Sequence, residues 1–93
     1  MDTDRQMDRM ICKQALDLYR AIDAAIDGGR GGFAKEKLGE LRSLLKGQTQ
    51  HSAFHNAHAY LPHVTTSGSQ RKSELAYSRL SIEDYLRVLE RKA

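Results

Sequence analysis

Tryptophan is missing from this chain, cysteine and proline occur once each, and the aromatics are two Phe and four Tyr in 93 residues. A single cysteine, Cys12, excludes an internal disulfide. It falls at the edge of an apolar helix face, where a packed thiol is the expected role. No apolar run approaches the roughly 18 residues of a membrane span. No signal peptide opens the chain, and the acidic start Met1-Asp2-Thr3-Asp4 is unlike a transit peptide. A cytoplasmic location without membrane contact is expected. A catalytic set is also missing. The serines at 67, 69, 73, 78 and 81 have no Gly-x-Ser-x-Gly context, and Glu83-Asp84 suits a helix start better than acid–base chemistry. The chain is therefore not expected to be an enzyme or to carry a cofactor.

One absence is local. No Asp or Glu occurs from Leu41 to Ser73, and all four histidines lie inside that stretch. Residues 30–73 carry seven Arg/Lys against two Glu, whereas residues 1–29 carry six Asp against four Arg/Lys. The net charge of +3 hides this asymmetry.

What is present is helical patterning, with 40% hydrophobic and 29% charged residues. The stretch Thr3 to Asp27 has one hydrophobic period and neither Gly nor Pro. Thr3 and Gln6 fit a capping box. Met7, Met10, Ile11, Cys12, Ala15, Leu18, Tyr19, Ala21, Ile22, Ala25 and Ile26 fall on one arc of about 200°, interrupted by Asp8 and Gln14. A helix with one neighbour needs a stripe only a little over 100° wide. Two surfaces must cover this one. Either later helices wrap both flanks, or a second copy of the chain covers one. The second option makes Met7, Ile11, Leu18, Tyr19 and Ile22 the candidate partner or homodimer interface.

Gly28-Gly29-Arg30-Gly31-Gly32 reads as a flexible connector (28–32), with Gly28 in the left-handed conformation that ends helices. Phe33 to Lys46 is expected as a second helix on Ala34, Leu38, Leu41 and Leu45, antiparallel to the first. Gly39 weakens it by about 1 kcal/mol relative to Ala. A break at Gly47-Gln48-Thr49 follows, then a helix from Thr49 or Gln50 to Leu61 on Phe54, Ala57 and Leu61, ended by Pro62. A polar loop is expected over 63–72. The chain closes with Ser73–Lys92, helical throughout or broken at Ser81, on Leu75, Ile82, Leu86 and Leu89. The expected fold is all-α: one domain over 1–93, a small bundle of four to five helices built on the first one, dimeric.

Two constellations could bind something. On a continuous helix, His51, His55 and His58 would lie within about 60° of one another and could share a metal, with His63 in reach from the loop. No carboxylate stands nearby to orient an imidazole, so a polar interface rim or a proton-sensitive face competes with the metal reading. Arg30, Lys35, Lys37, Arg42, Lys46, Arg71 and Lys72 could form a basic surface for nucleic acid, with Arg42, Lys46, Arg71 and Lys72 as its contacts. The few aromatics supply no stacking platform, and neither a ribbon-helix-helix nor a helix-turn-helix is correctly spaced. By elimination, the sequence points to a small regulatory protein that binds another protein through helical apolar surfaces, as antagonist or adaptor. A nucleic-acid accessory protein comes second, and a histidine-cluster metal protein third.

Overall fold

In the computed structural model, which describes residues 2–47, 51–64 and 72–91, every regular element is helical. The helices are α1 (Asp2–Asp27), α2 (Gly31–Lys46), α3 (Ser52–Tyr60) and α4 (Lys72–Arg91); a single 3-10 turn, Leu61–His63, follows α3. The described residues thus hold four α-helices, not five. α1 begins at Asp2, so Thr3 lies inside its first turn rather than at its cap.

The exit from α1 follows from its glycines. Arg30 N–H bonds Ala25 O at 2.8 Å and Gly29 N–H bonds Ile26 O at 3.2 Å. These are the two bonds of a Schellman ending. The residue they force to positive φ is Gly29, at +74°, not Gly28 as the sequence suggested. The reversal is tight enough that Gly31 and Gly32 already belong to α2. α2 then buries Ala34, Leu38, Leu41 and Leu45, the expected stripe.

Most of the 200° arc of α1 is covered from within the chain, and Met7 and Met10 at its start stay exposed: α1 packs against both α2 and α4, and α3 packs against α4 and, less extensively, α2. Contacts fix the directions. Along α1, Arg5 reaches Leu89 O, Asp8 meets Tyr85, and Tyr19 meets Ser78, so α4 runs antiparallel to α1. Asp8, which interrupts the apolar arc, receives the Tyr85 hydroxyl at 2.5 Å, so its polarity has a partner there. α3 is antiparallel to α4, since His51 stacks on Tyr85 and Tyr60 packs on Tyr77.

The core holds Ile11, Tyr19, Ile22, Leu41, Leu45, Phe54, Leu61 and Ile82, all 4% exposed or less. Burying each contributes about 1.5–3 kcal/mol relative to exposure. One polar thread crosses it. Ser78 Oγ donates to Ala57 O at 2.7 Å, and the Tyr19 hydroxyl, 2.6 Å away, donates to Ser78 Oγ. The thread follows from Pro62, which has no N–H to offer His58 O. Leu61 N–H turns to His58 O instead, and Ser78 supplies a donor to the Ala57 carbonyl.

α4 is continuous through Ser81. Rather than capping a new helix, the Ser81 hydroxyl bonds back to Tyr77 O at 3.4 Å. α3 starts later than expected, at Ser52. The starts considered for it, Thr49 and Gln50, and residues 65–71 of the polar loop lie outside the described residues; Lys72, the loop's expected last residue, opens α4.

A candidate docking groove between α3 and α4

On α4 the core residues Leu75, Ser78, Ile82 and Leu89 face inward. Beside them runs a second stripe, Glu74, Tyr77, Ser81, Asp84 and Val88, spaced three and four residues apart. It faces the outer side of α3, and two adjoining open clefts lie between the helices. One, of about 450 Å³, is lined by Asn56, Ala59, Tyr60, Glu74 and Ser81. The other, of about 410 Å³, runs from Asn56 and Ser81 to His51, Asp84, Tyr85 and Val88. Asn56 and Ser81 border both, so the clefts form one groove. Its floor is small side chains, Ala53, Asn56, Ala59 and Ser81.

Large apolar side chains stand exposed along it: Tyr77 at 53%, Val88 at 44% and Tyr60 at 36%. Tyr60 and Tyr77 pair at 5.8 Å between ring centroids, tilted by 45°. The far end is held rigidly. His51 stacks on Tyr85 at 3.8 Å with 15° between the planes, and Phe54 meets the Tyr85 ring edge-on at 5.5 Å. Tyr85 is anchored in turn by Asp8. Burial, and then its donation to Asp8, push the Tyr85 hydroxyl above its ordinary pKa, so it stays a donor at neutral pH.

The residues singled out from the sequence are placed differently. Ile11, Tyr19 and Ile22 are core residues inside one chain, Leu18 is half-buried, and only Met7 of that set is exposed, with Met10 beside it. The histidine stripe does not form. His51 precedes α3 in an extended conformation and caps it, its Nδ1 accepting Ala53 N–H at 3.0 Å. That nitrogen is occupied and the ring is stacked, while His55 is exposed and His58 half-buried on the helix proper. Among the described residues, no group of three or more His, Cys, Asp or Glu is placed to hold a metal ion.

Arg42 and Lys46 are exposed on α2, and Lys35, at i−7 from Arg42, joins them on one side. Lys37 is drawn away from them to Glu40 at 3.2 Å and, like Arg30, sits over the Phe33 ring at 5.4 Å. Arg71 lies outside the described residues, and Lys72 opens α4. Cys12 is fully buried, and burial, followed by the negative charge of Asp8, pushes its thiol up to about 12. It is an inert packing group at neutral pH.

The groove was the feature missed from sequence. Its signal was the three–four spacing of Tyr77, Ser81, Asp84 and Val88, visible only once α4 is read as unbroken. Among the described residues no helix is long and apolar enough to cross a membrane. No protein-family model, no curated protein and no solved structure matches the chain.

Proposed function

We propose that this chain is a small non-enzymatic interaction protein that seats an amphipathic helix of another protein in the α3–α4 groove, as an adaptor or antagonist. The observation that carries the reading is the row of exposed apolar side chains, Tyr60, Tyr77 and Val88, beside a floor of small residues. Stripes spaced three and four apart on both walls match the ridges of a third helix, which packs at about 8–10 Å between axes. Exposed apolar surface of this kind marks interaction sites, and helix-in-groove recognition reads such stripes through anchors at i, i+3 and i+7.

The test is a selection from a displayed library of helical peptides, followed by amide chemical-shift mapping of a selected peptide. Shifts should concentrate at Asn56, Ala59, Ser81 and Asp84, and Ala59→Arg, at an exposed position of the floor, should weaken binding at least tenfold while the melting temperature holds. Shifts centred on α1 or α2 would overturn the reading.

A second reading, binding to nucleic acid, is favoured by the exposed Lys35, Arg42 and Lys46 on one side of α2. Three phosphate contacts give a slope of about −2.7 in log K against log salt on duplex DNA. Arg42→Ala should then lower that slope by about 0.9. No binding to duplex DNA or RNA at low salt would remove this reading.

A further inference from the structure

The charge pattern of the groove identifies the chemistry of its occupant. In a chain of net charge +3, the fully charged side chains among the described residues lining the two clefts are carboxylates, Glu74 at one end and Asp84 at the other. The α3 wall, Ser52–Tyr60, contains no Asp, Glu, Lys or Arg. Glu74 and Asp84 are ten residues apart on one helix, about 15 Å. Between them lie the small floor and the Tyr60–Tyr77 pair. Arg87, one turn along α4, forms an ion pair with Asp84 from the rim, which offsets that charge and leaves Glu74 as the stronger of the two poles.

We infer that the groove selects a basic amphipathic helix: an apolar face of about three turns with Lys or Arg at each end, some ten residues apart. The inference rests on the docking reading above and adds the sign of the partner's charge. Apolar anchors fill the two clefts, and the end cations meet Glu74 and Asp84. An acidic helix of the same apolar face meets like charge at Glu74, and at the other end it meets a carboxylate already paired with its neighbour Arg87. Each exposed ion pair contributes little on its own, so the charges set preference and the apolar floor sets most of the affinity.

The experiment uses the full chain and two synthetic helical peptides of about fourteen residues, ~21 Å long. They share one Leu/Ile face and differ only in carrying Lys or Glu at the two end positions. Binding is read by fluorescence anisotropy at low and at physiological ionic strength, with sedimentation at the same protein concentration. The Lys-ended peptide should bind about tenfold tighter at low ionic strength, with the preference shrinking as the Debye length falls to about 8 Å. The double variant Glu74→Lys with Asp84→Lys should invert the preference. Glu74→Gln with Asp84→Asn, a milder pair, should abolish it without inversion. Equal binding of both peptides, blocked by Ala59→Arg, would overturn the charge inference and leave the groove standing. Binding of neither peptide would overturn both. A groove-dependent dimer that excludes both peptides would make the occupant a second copy of the chain, and would likewise overturn the inference.

Discussion

At the scale of single residues, the protein is specified most sharply by the buried polar thread among its described residues. Tyr19, Ser78 and the Ala57 carbonyl come from three different helices and are linked at 2.6 and 2.7 Å. In an apolar core such a thread permits one register, because sliding α4 by one residue would strand each polar group. Ser78→Ala removes the donor to Ala57 O and leaves the Tyr19 hydroxyl without its acceptor. A buried unsatisfied group costs about 1–3 kcal/mol, so Ser78→Ala should lose about 2 kcal/mol or more by urea denaturation. Tyr19→Phe removes only the outer donor, since Ser78 still donates to Ala57, and should lose about 1 kcal/mol. In the double mutant the two losses should sum to less than additive, because both remove the same bond. Equal losses from both single variants would mean that the Ala57 carbonyl does not depend on Ser78.

At the scale of elements, the wide apolar arc of α1 posed a choice between intramolecular and intermolecular cover. α2 and α4 supply the cover for Ile11, Tyr19 and Ile22. Ile22→Asp should therefore unfold the chain rather than dissociate an oligomer, since an unpaired charge would enter a site with no exposure. Met7→Asp, at a position 53% exposed, should leave the circular-dichroism melt within about 0.5 kcal/mol of wild type. If Met7→Asp alone shifts the sedimentation profile to a smaller species, a second copy does sit on the exposed end of α1. Most element boundaries were legible because they are set locally. The apolar period gives α2 its four buried residues, and the glycines end α1 by a motif with a fixed hydrogen-bond pattern. Of the two readings open for residues 73–92, the unbroken helix holds, because Ser followed by acids is a start signal only when the preceding turn is free to end. Here Leu75, Ser78 and Ile82 pack on one continuous face and hold the helix together. The histidine stripe does not form. The stripe requires His51 inside the helix, while its imidazole nitrogen caps α3 from outside. The groove was hidden because it belongs to two elements at once, and neither α3 nor α4 alone has a strongly apolar outer face.

At the scale of the whole molecule, the bundle is 42 Å long and 21 by 18 Å across, and it encloses the Cys12 thiol and the Tyr19 hydroxyl. Cys12 is pushed from an ordinary 9.0 up to about 12, mainly by burial and then by Asp8. Tyr19 and Tyr85 are both raised above the ordinary 10.0, again mainly by burial. For an acid raised in the fold, the stabilising contribution is complete below the unfolded pKa and drains away as pH climbs toward the folded one. The loss should therefore begin near pH 9, where unfolded Cys12 ionises, and steepen above pH 10, where the unfolded tyrosines follow. Cys12 and Tyr19 each add at most about 1.4 kcal/mol per pH unit to that slope, and the partly exposed Tyr85 adds less. Urea midpoints measured at pH 8, 9.5 and 10.5 should fall progressively, and Cys12→Ala should flatten the first interval while leaving the second steep. In the native state at pH 8, Cys12 should not react with a thiol reagent until urea unfolds the chain. Tyrosinate absorbance from Tyr19 and Tyr85 should likewise rise with unfolding rather than before it. A midpoint unchanged from pH 8 to 10.5, or a thiol that reacts at once, would mean that α1 and α4 do not close over Cys12 in solution. The α3–α4 groove would lose its support with them, because its far wall, the His51–Tyr85 stack, is anchored through Tyr85 to Asp8 on the same turn of α1 as Cys12.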